Sequence, residues 1–153
     1  MGPETSTTSE YGIVGVRDVD FTLDRFAPAP DLAHLVERHW LVSWELPEGR
    51  SASVTLLGPP CINLVLDRGV LSVAGIGTGR FTYVYDGVGR VFGTKFRPGA
   101  FLPFLGSPVS GLTGSGMLAE QLWGPPAAAL AASMTGPVSE LIAQVEGFLR
   151  ARL

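Results

Sequence analysis

The chain carries few chemically reactive side chains. His34 and His39 are its only imidazoles and Cys61 its only thiol. A barrel that holds a metal needs several histidines and a carboxylate converging on one ion. His34 and His39 stand on either side of an expected boundary between a turn and a strand, so no metal centre is expected, and no motif implies a cofactor. Cys61 has no accompanying sequence that would activate it, and no G-x-S-x-G run presents a serine nucleophile. Gly75-Ile76-Gly77-Thr78-Gly79 superficially suggests a phosphate cradle but lacks G-x-G-x-x-G spacing. A β-hairpin accounts for its glycines through their tolerance of positive φ. The expectation is a protein that is not an enzyme.

The residues suited to binding are aromatic and polar. Trp40 and Trp44 lie at even spacing in a strand-like run, so both indoles share one face while His39, Leu41, Ser43 and Glu45 share the other. They form either the wall of an aromatic pocket or part of a plain core. Asn63 interrupts the apolar run Ile62 to Leu64, and a buried amide must find partners in the backbone or in a polar ligand. Arg97, in the FRPG run, could pair with a carboxylate ligand, with Asp67 or Asp86, or with the last carbonyls of a helix. Phe92, Thr94 and Phe96 share one pleat face, and Tyr83 and Tyr85 another; one such set faces any cavity that exists.

These groups need strands to hold them. Near-alternation of apolar and polar residues predicts one or two strands over Tyr11 to Phe26 and another over Arg38 to Leu46. Between these runs, Pro28 and Pro30 fix the approach to a short turn that Asp31 could cap, carrying Leu32, Leu35 and Val36 inward. Further strands are expected at Ser51 to Leu57, Ile62 to Asp67, Val70 to Ala74, Arg80 to Tyr85 and Arg90 to Phe96, with turn sequences such as Arg68-Gly69 and Asp86-Gly87 between them. Such regular spacing suggests a barrel or a sandwich.

Beyond Arg97-Pro98-Gly99 the composition turns helical. Met117 to Trp123 and Ala127 to Met134 are rich in Ala and Leu, with Gly124-Pro125-Pro126 between them. The last run repeats apolar residues at helical spacing, from Val138 through Leu141, Ile142, Val145, Phe148 and Leu149, behind a Pro137 suited to a first turn. Its other face, with Ser139, Glu140, Gln144, Glu146 and Arg150, reads as polar. The apolar stripe must pack on the sheet, on the preceding helix or on another subunit, and Leu141, Val145, Phe148 and Leu149 are the candidate dimerisation residues.

Composition narrows the class. Hydrophobic residues make up 46% and charged ones 16%, with 20 Gly and 12 Pro, which favours a turn-rich globular domain over disorder or a coiled coil. A formal charge of -3 with 11 scattered Lys and Arg offers no basic stripe for phosphates, so direct nucleic-acid binding is not expected. No apolar run approaches a membrane span. The single cysteine and the polar start from Met1 to Glu10 fit a cytoplasmic setting, with residues 1–10 expected to be a tail without structure.

Three runs carry a resemblance. GRVFGTKFRPGAFLPFLGSPVSGLTGSGMLAEQLWG from Gly89 to Gly124, LAHLVERHWLVSWELP from Leu32 to Pro47 and PPCINLVLDRG from Pro59 to Gly69 resemble, in order and spacing, the N-terminal domain of one subgroup of AraC-family transcription regulators. The resemblance implies an α+β domain at 11–153, with a cupin-like antiparallel β-barrel over about 11–100 and helices over about 115–153. It also implies that family members continue into helix-turn-helix DNA-binding units, a half expected to be absent here. Many members of that subgroup have a polar or acidic residue where Pro59 or Pro60 stands, and Asp in place of Asn63. An effector held through those groups is therefore not carried over.

The leading expectation is a sensor and dimerisation module. A small-molecule effector would enter the barrel among Trp40, Trp44, Asn63, Phe96 and Arg97 and favour one arrangement of the terminal helices. The alternative is a pure dimerisation module, a homodimer with a filled barrel and no effector. A small-molecule enzyme of the cupin type is the third class, opposed by the histidine count.

Overall fold

The computed structural model describes residues 4–5, 13–17, 21–57, 61–75, 80–105 and 116–153. Pro59, Pro60 and most of the Gly75 to Gly79 run, singled out above, lie outside the described residues.

Among the described residues ten strands form two antiparallel sheets. The larger comprises β1 (Glu4–Thr5), β3 (Phe21–Phe26), β4 (Val36–Glu45), β6 (Asn63–Asp67), β7 (Val70–Ala74), β9 (Val88–Phe96) and β10 (Gly116–Leu118), in the order β1-β3-β4-β9-β6-β7-β10. The smaller comprises β2 (Ile13–Arg17), β5 (Ser51–Leu57) and β8 (Arg80–Asp86), with β5 in the middle. Every pairing is antiparallel. The β6–β7 hairpin closes through Arg68-Gly69, both with positive φ, at 51° and 78°.

Two expectations change. Glu4–Thr5, inside the stretch expected to lack structure, pairs with Asp24 and Arg25 of β3; an exposed strand edge recruits backbone whatever its side chains. Met117 to Trp123 is not one helix: residues 116–118 add an edge strand to β7, and helix α2 (Ala119–Trp123) begins only after it. Helix propensity there is overridden by the unpaired edge of β7.

Helix α1 (Leu102–Leu105) follows β9, and α3 (Pro125–Ser133) and α4 (Val138–Arg150) complete the chain. Pro125 and Pro126 occupy the first turn of α3, where a missing N–H has no helical partner to lose. The helices cover one face of the large sheet. Leu130, Met134, Leu141, Val145 and Leu149 pack there against Leu64, Leu66, Leu71, Val73, Phe92 and Phe96 in the main core. The small sheet lies against the opposite face, where Trp44, Tyr85 and Val91 are buried with Phe21, Trp40, Val42, Val65 and Tyr83 around them. Among the described residues no helix is long and apolar enough to cross a membrane.

This packing assigns the terminal stripe. Leu141, Val145 and Leu149 are 0%, 1% and 0% exposed within the single chain. They belong to its own core and cannot form a surface for a second copy. Phe148 is half-buried, with its ring on Trp123 and the Arg152 guanidinium 3.4 Å from its centroid.

Candidate functional site

Strands β4 and β9 are the common wall of two different environments, because successive side chains point to opposite faces. On the face toward the small sheet, Trp40 lies opposite Gly93 and Trp44 opposite Gly89. The glycines make room for the rings: a Cβ at Gly93 would lie 2.1 Å from the Trp40 indole, and one at Gly89 2.5 Å from that of Trp44. Each tryptophan therefore lies flat across its neighbouring strand.

Three hydrogen bonds tie the polar edges of this face. Trp40 Nε1 donates to Asn63 Oδ1 at 3.0 Å, and Trp44 Nε1 donates to the Asp86 carbonyl at 3.0 Å. Tyr83 Oη donates to Asp67 Oδ2 at 2.7 Å. Burial, reinforced by that carboxylate, pushes the Tyr83 phenol well above its ordinary value, and burial raises Tyr85. Both phenols stay protonated. The second Asp67 oxygen is buried without a hydrogen bond, 3.8 Å from Arg68 Nε. Trp44, Tyr83 and Tyr85 meet edge-on or tilted, with centroid separations of 4.6 to 6.2 Å. The result is an aromatic floor with its hydrogen-bond acceptors at the rim.

The sequence-predicted binding residues divide between the two faces. Trp40, Trp44 and Asn63 come together, with the Asn63 Oδ1 accepting from an indole. Phe96 does not join them: it is fully buried on the helix side, packed on Phe101 and Phe104. A shift of pairing between Val36 and Arg38 sets Phe96 opposite Val36. Its place on the Phe92 and Thr94 face follows from the alternation along β9. Arg97 is exposed and also outside the face of the tryptophans; its Nε donates to the Ala33 carbonyl at 2.7 Å, tying the FRPG turn to the turn before β4.

The helix-side face holds a polar chain that sequence reasoning missed. His39 is fully buried, with Nδ1 2.8 Å from Thr94 Oγ1 and Nε2 3.0 Å from Glu146 Oε1. Glu146 Oε1 also accepts from the Ala29 amide at 2.9 Å. Its Oε2 stands 3.5 Å from Arg150, whose guanidinium binds Asp31 with two hydrogen bonds of 2.6 and 2.9 Å. Asp31 is thus an ion-pair partner for α4, and its carboxylate has this cation to satisfy it. Burial lowers the His39 pKa below its ordinary value despite the opposing pull of Glu146, so the ring is neutral at neutral pH. A carboxylate can only accept, so Nε2 carries the proton and Nδ1 accepts from the Thr94 hydroxyl.

Hydroxyl, imidazole and carboxylate in that donor order repeat the logic of a catalytic triad. Here Thr94 and His39 are both 0% exposed, beneath α4, and no substrate atom can approach the hydroxyl. The chain fastens the sheet to the terminal helix. A sequence signal existed: Glu146 follows Ile142 by four and precedes Leu149 by three, at the edge of the apolar stripe.

Cys61 is buried and its thiol raised by burial, which leaves it a poor nucleophile. Among the described residues no group of three or more His, Cys, Asp or Glu could hold a metal ion, and His34 is exposed while His39 is buried.

Residues 24–117 match a family model described as a domain of unknown function, DUF6597, and the chain belongs to that family. No curated protein and no solved structure matches the chain.

Proposed function

We propose that this member of the family is the ligand-sensing and dimerisation half of an AraC-type transcription regulator. In this reading the two sheets form a cupin-like barrel around a small effector, and the terminal helices relay its arrival to DNA-binding units elsewhere in the regulator. One observation carries the proposal: the same two strands, β4 and β9, bear the aromatic floor on one face and the His39 and Thr94 attachment to α4 on the other. An effector that shifts Trp40 or Trp44 would strain the backbone that positions His39, and α4 would feel it through Glu146. The difference in affinity between the two helix arrangements would set the size of the response.

The close edge-on and tilted packing of Trp44, Tyr83 and Tyr85 favours a second reading, a homodimerisation module whose inter-sheet space is already filled. Because Leu141, Val145 and Leu149 are internal, the dimer contact in either reading must use other residues.

Solution mass, tryptophan fluorescence and melting temperature, followed during titration with a small-molecule library, separate the readings. A dimer with a saturable, ligand-dependent shift supports the sensor. A dimer indifferent to every compound supports the second reading, and a monomer removes dimerisation from both.

A further inference from the structure

The burial of the terminal stripe leaves the dimer contact of the proposed function unassigned, and the sheet edges supply one. A terminal strand presents unpaired backbone N–H and C=O groups to any further strand, and proteins blunt such edges with short strands, bulges, lysine or proline. At the ends of the large sheet, β1 and β10 offer only two and three residues. At one end of the small sheet, β2 has five, with an irregular register between Ile13 and Gly15. β8, at the other end, has neither device. Its seven residues run in unbroken register with β5, from Asp86 opposite Ser51 to Arg80 opposite Leu57, and include no lysine or proline. Among the described residues no strand pairs with its other edge.

This edge is complementary to a second copy of itself. Laid antiparallel about a two-fold axis at Tyr83, it sets Arg80 of each copy opposite the partner's Asp86, and Thr82 opposite the partner's Val84. The Asp86 side chain is 72% exposed; its Oδ1 is ion-paired with Arg68 at 3.6 Å, and a carboxylate serves two cations through its two oxygens. Tyr83 and Tyr85 turn inward to Trp44, so Val84 faces outward, 53% exposed, and Val88, just past the strand, is 76% exposed. The strand is also held ready. β5 pairs along its whole length and Trp44 Nε1 donates to its last carbonyl, so little order has to be gained on pairing.

We propose that β8 is the homodimer contact, an antiparallel pairing of β8 with the β8 of a second copy that joins the two three-stranded sheets into one. This assignment rests on the dimerisation in the function proposed above and not on the effector. Tyr83 and Tyr85 belong to the same strand, so the contact backs directly onto the aromatic floor.

Arg80→Asp and Asp86→Arg test the contact, each followed by sedimentation velocity across a dilution series of the whole chain, with melting temperature as the check on folding. The parent should be a dimer. In either variant both copies of the ion pair become like charges, and the dimer should dissociate about thirtyfold more readily. An equimolar mixture of the two variants should regain the parental affinity, because R80D and D86R complement each other across this register. Damaged folding cannot produce that recovery. A parental dimer indifferent to both substitutions, or a mixture no tighter than its components, would overturn the β8 contact and leave dimerisation to another surface. A parent that is monomeric at every concentration would overturn the contact and the dimerisation together.

Discussion

The two faces of the seven-stranded sheet are built from alternate residues of the same strands, yet they are held together differently. The helix side is aliphatic and aromatic core pierced by one linear set of polar contacts, Thr94 to His39 to Glu146, fully buried at its centre. The side toward the small sheet is a smaller cluster in which three of the five large rings have a polar atom tied to a neighbour, Trp40 to Asn63, Trp44 to Asp86 and Tyr83 to Asp67. The first arrangement fixes a helix to a sheet with little tolerance, since a broken buried contact leaves a charge or a donor unsatisfied. In the proposed sensor, the second holds rings whose hydrogen bonds exchange for those of a ligand.

The contrast can be broken most forcefully at the helix. Leu149→Ala should lower the free energy of unfolding by about 4 kcal/mol through cavity formation, with no change in solution mass. Denaturant unfolding and light scattering on the same sample test this. A large loss of mass with little loss of stability would return the stripe to an interface.

Glu146→Ala removes the acceptor shared by His39 and Ala29 and should cost about 3 kcal/mol, chiefly from the stranded imidazole donor. Hydrogen exchange should show α4 opening before the sheet. Uniform loss of protection across both would mean that the polar chain does not join separable units.

On the other face, Gly93→Ala drives a methyl group into the Trp40 indole and should cost about 2 kcal/mol, with a shift in tryptophan emission as the Asn63 bond is lost. An unchanged emission spectrum would show a ring free to move aside without losing its partner.

The smallest effect is that of pH. Burial holds the folded His39 pKa below 6.5, its ordinary value, so the unfolded chain takes up this proton first as pH falls. The His39 contribution is complete above about that value. It is lost progressively as pH drops through the window between it and the lower folded pKa. Melting curves from pH 7.5 to 5 should show the decline, and His39→Gln should flatten it. Equal steepness in the variant would place the acid sensitivity elsewhere.

Much of this architecture was legible from period-two alternation. Ser51 to Leu57 and Val70 to Ala74 coincide with β5 and β7, and the shared face of Trp40 and Trp44 follows from spacing alone. The direction each face points was not legible. Phe96 and Trp40 are both aromatic residues of strands in one sheet, and only the pairing register puts them on opposite sides. The His39–Glu146 contact spans 107 residues, and nothing local marks a glutamate at the edge of a helix stripe as the partner of a distant imidazole. Edge strand β10 was hidden for a related reason, since its partner is a backbone edge that leaves no signature in residues 116–118. Local pattern specifies elements; what fills the space between them is set by contacts between residues remote in sequence.

The matched pairs Trp40 with Gly93 and Trp44 with Gly89 bear on how the family should be compared. The position of each indole is encoded partly by the lack of a side chain about fifty residues downstream. A survey of side chains alone would score those glycines as blanks. Among relatives, an indole at the first position and a glycine at the second should be inherited together, and a larger residue at either glycine should accompany a smaller ring. Counting such joint changes would reveal the geometry of the aromatic floor in sequences with no structure, and would sort the family by the size of the space beside it.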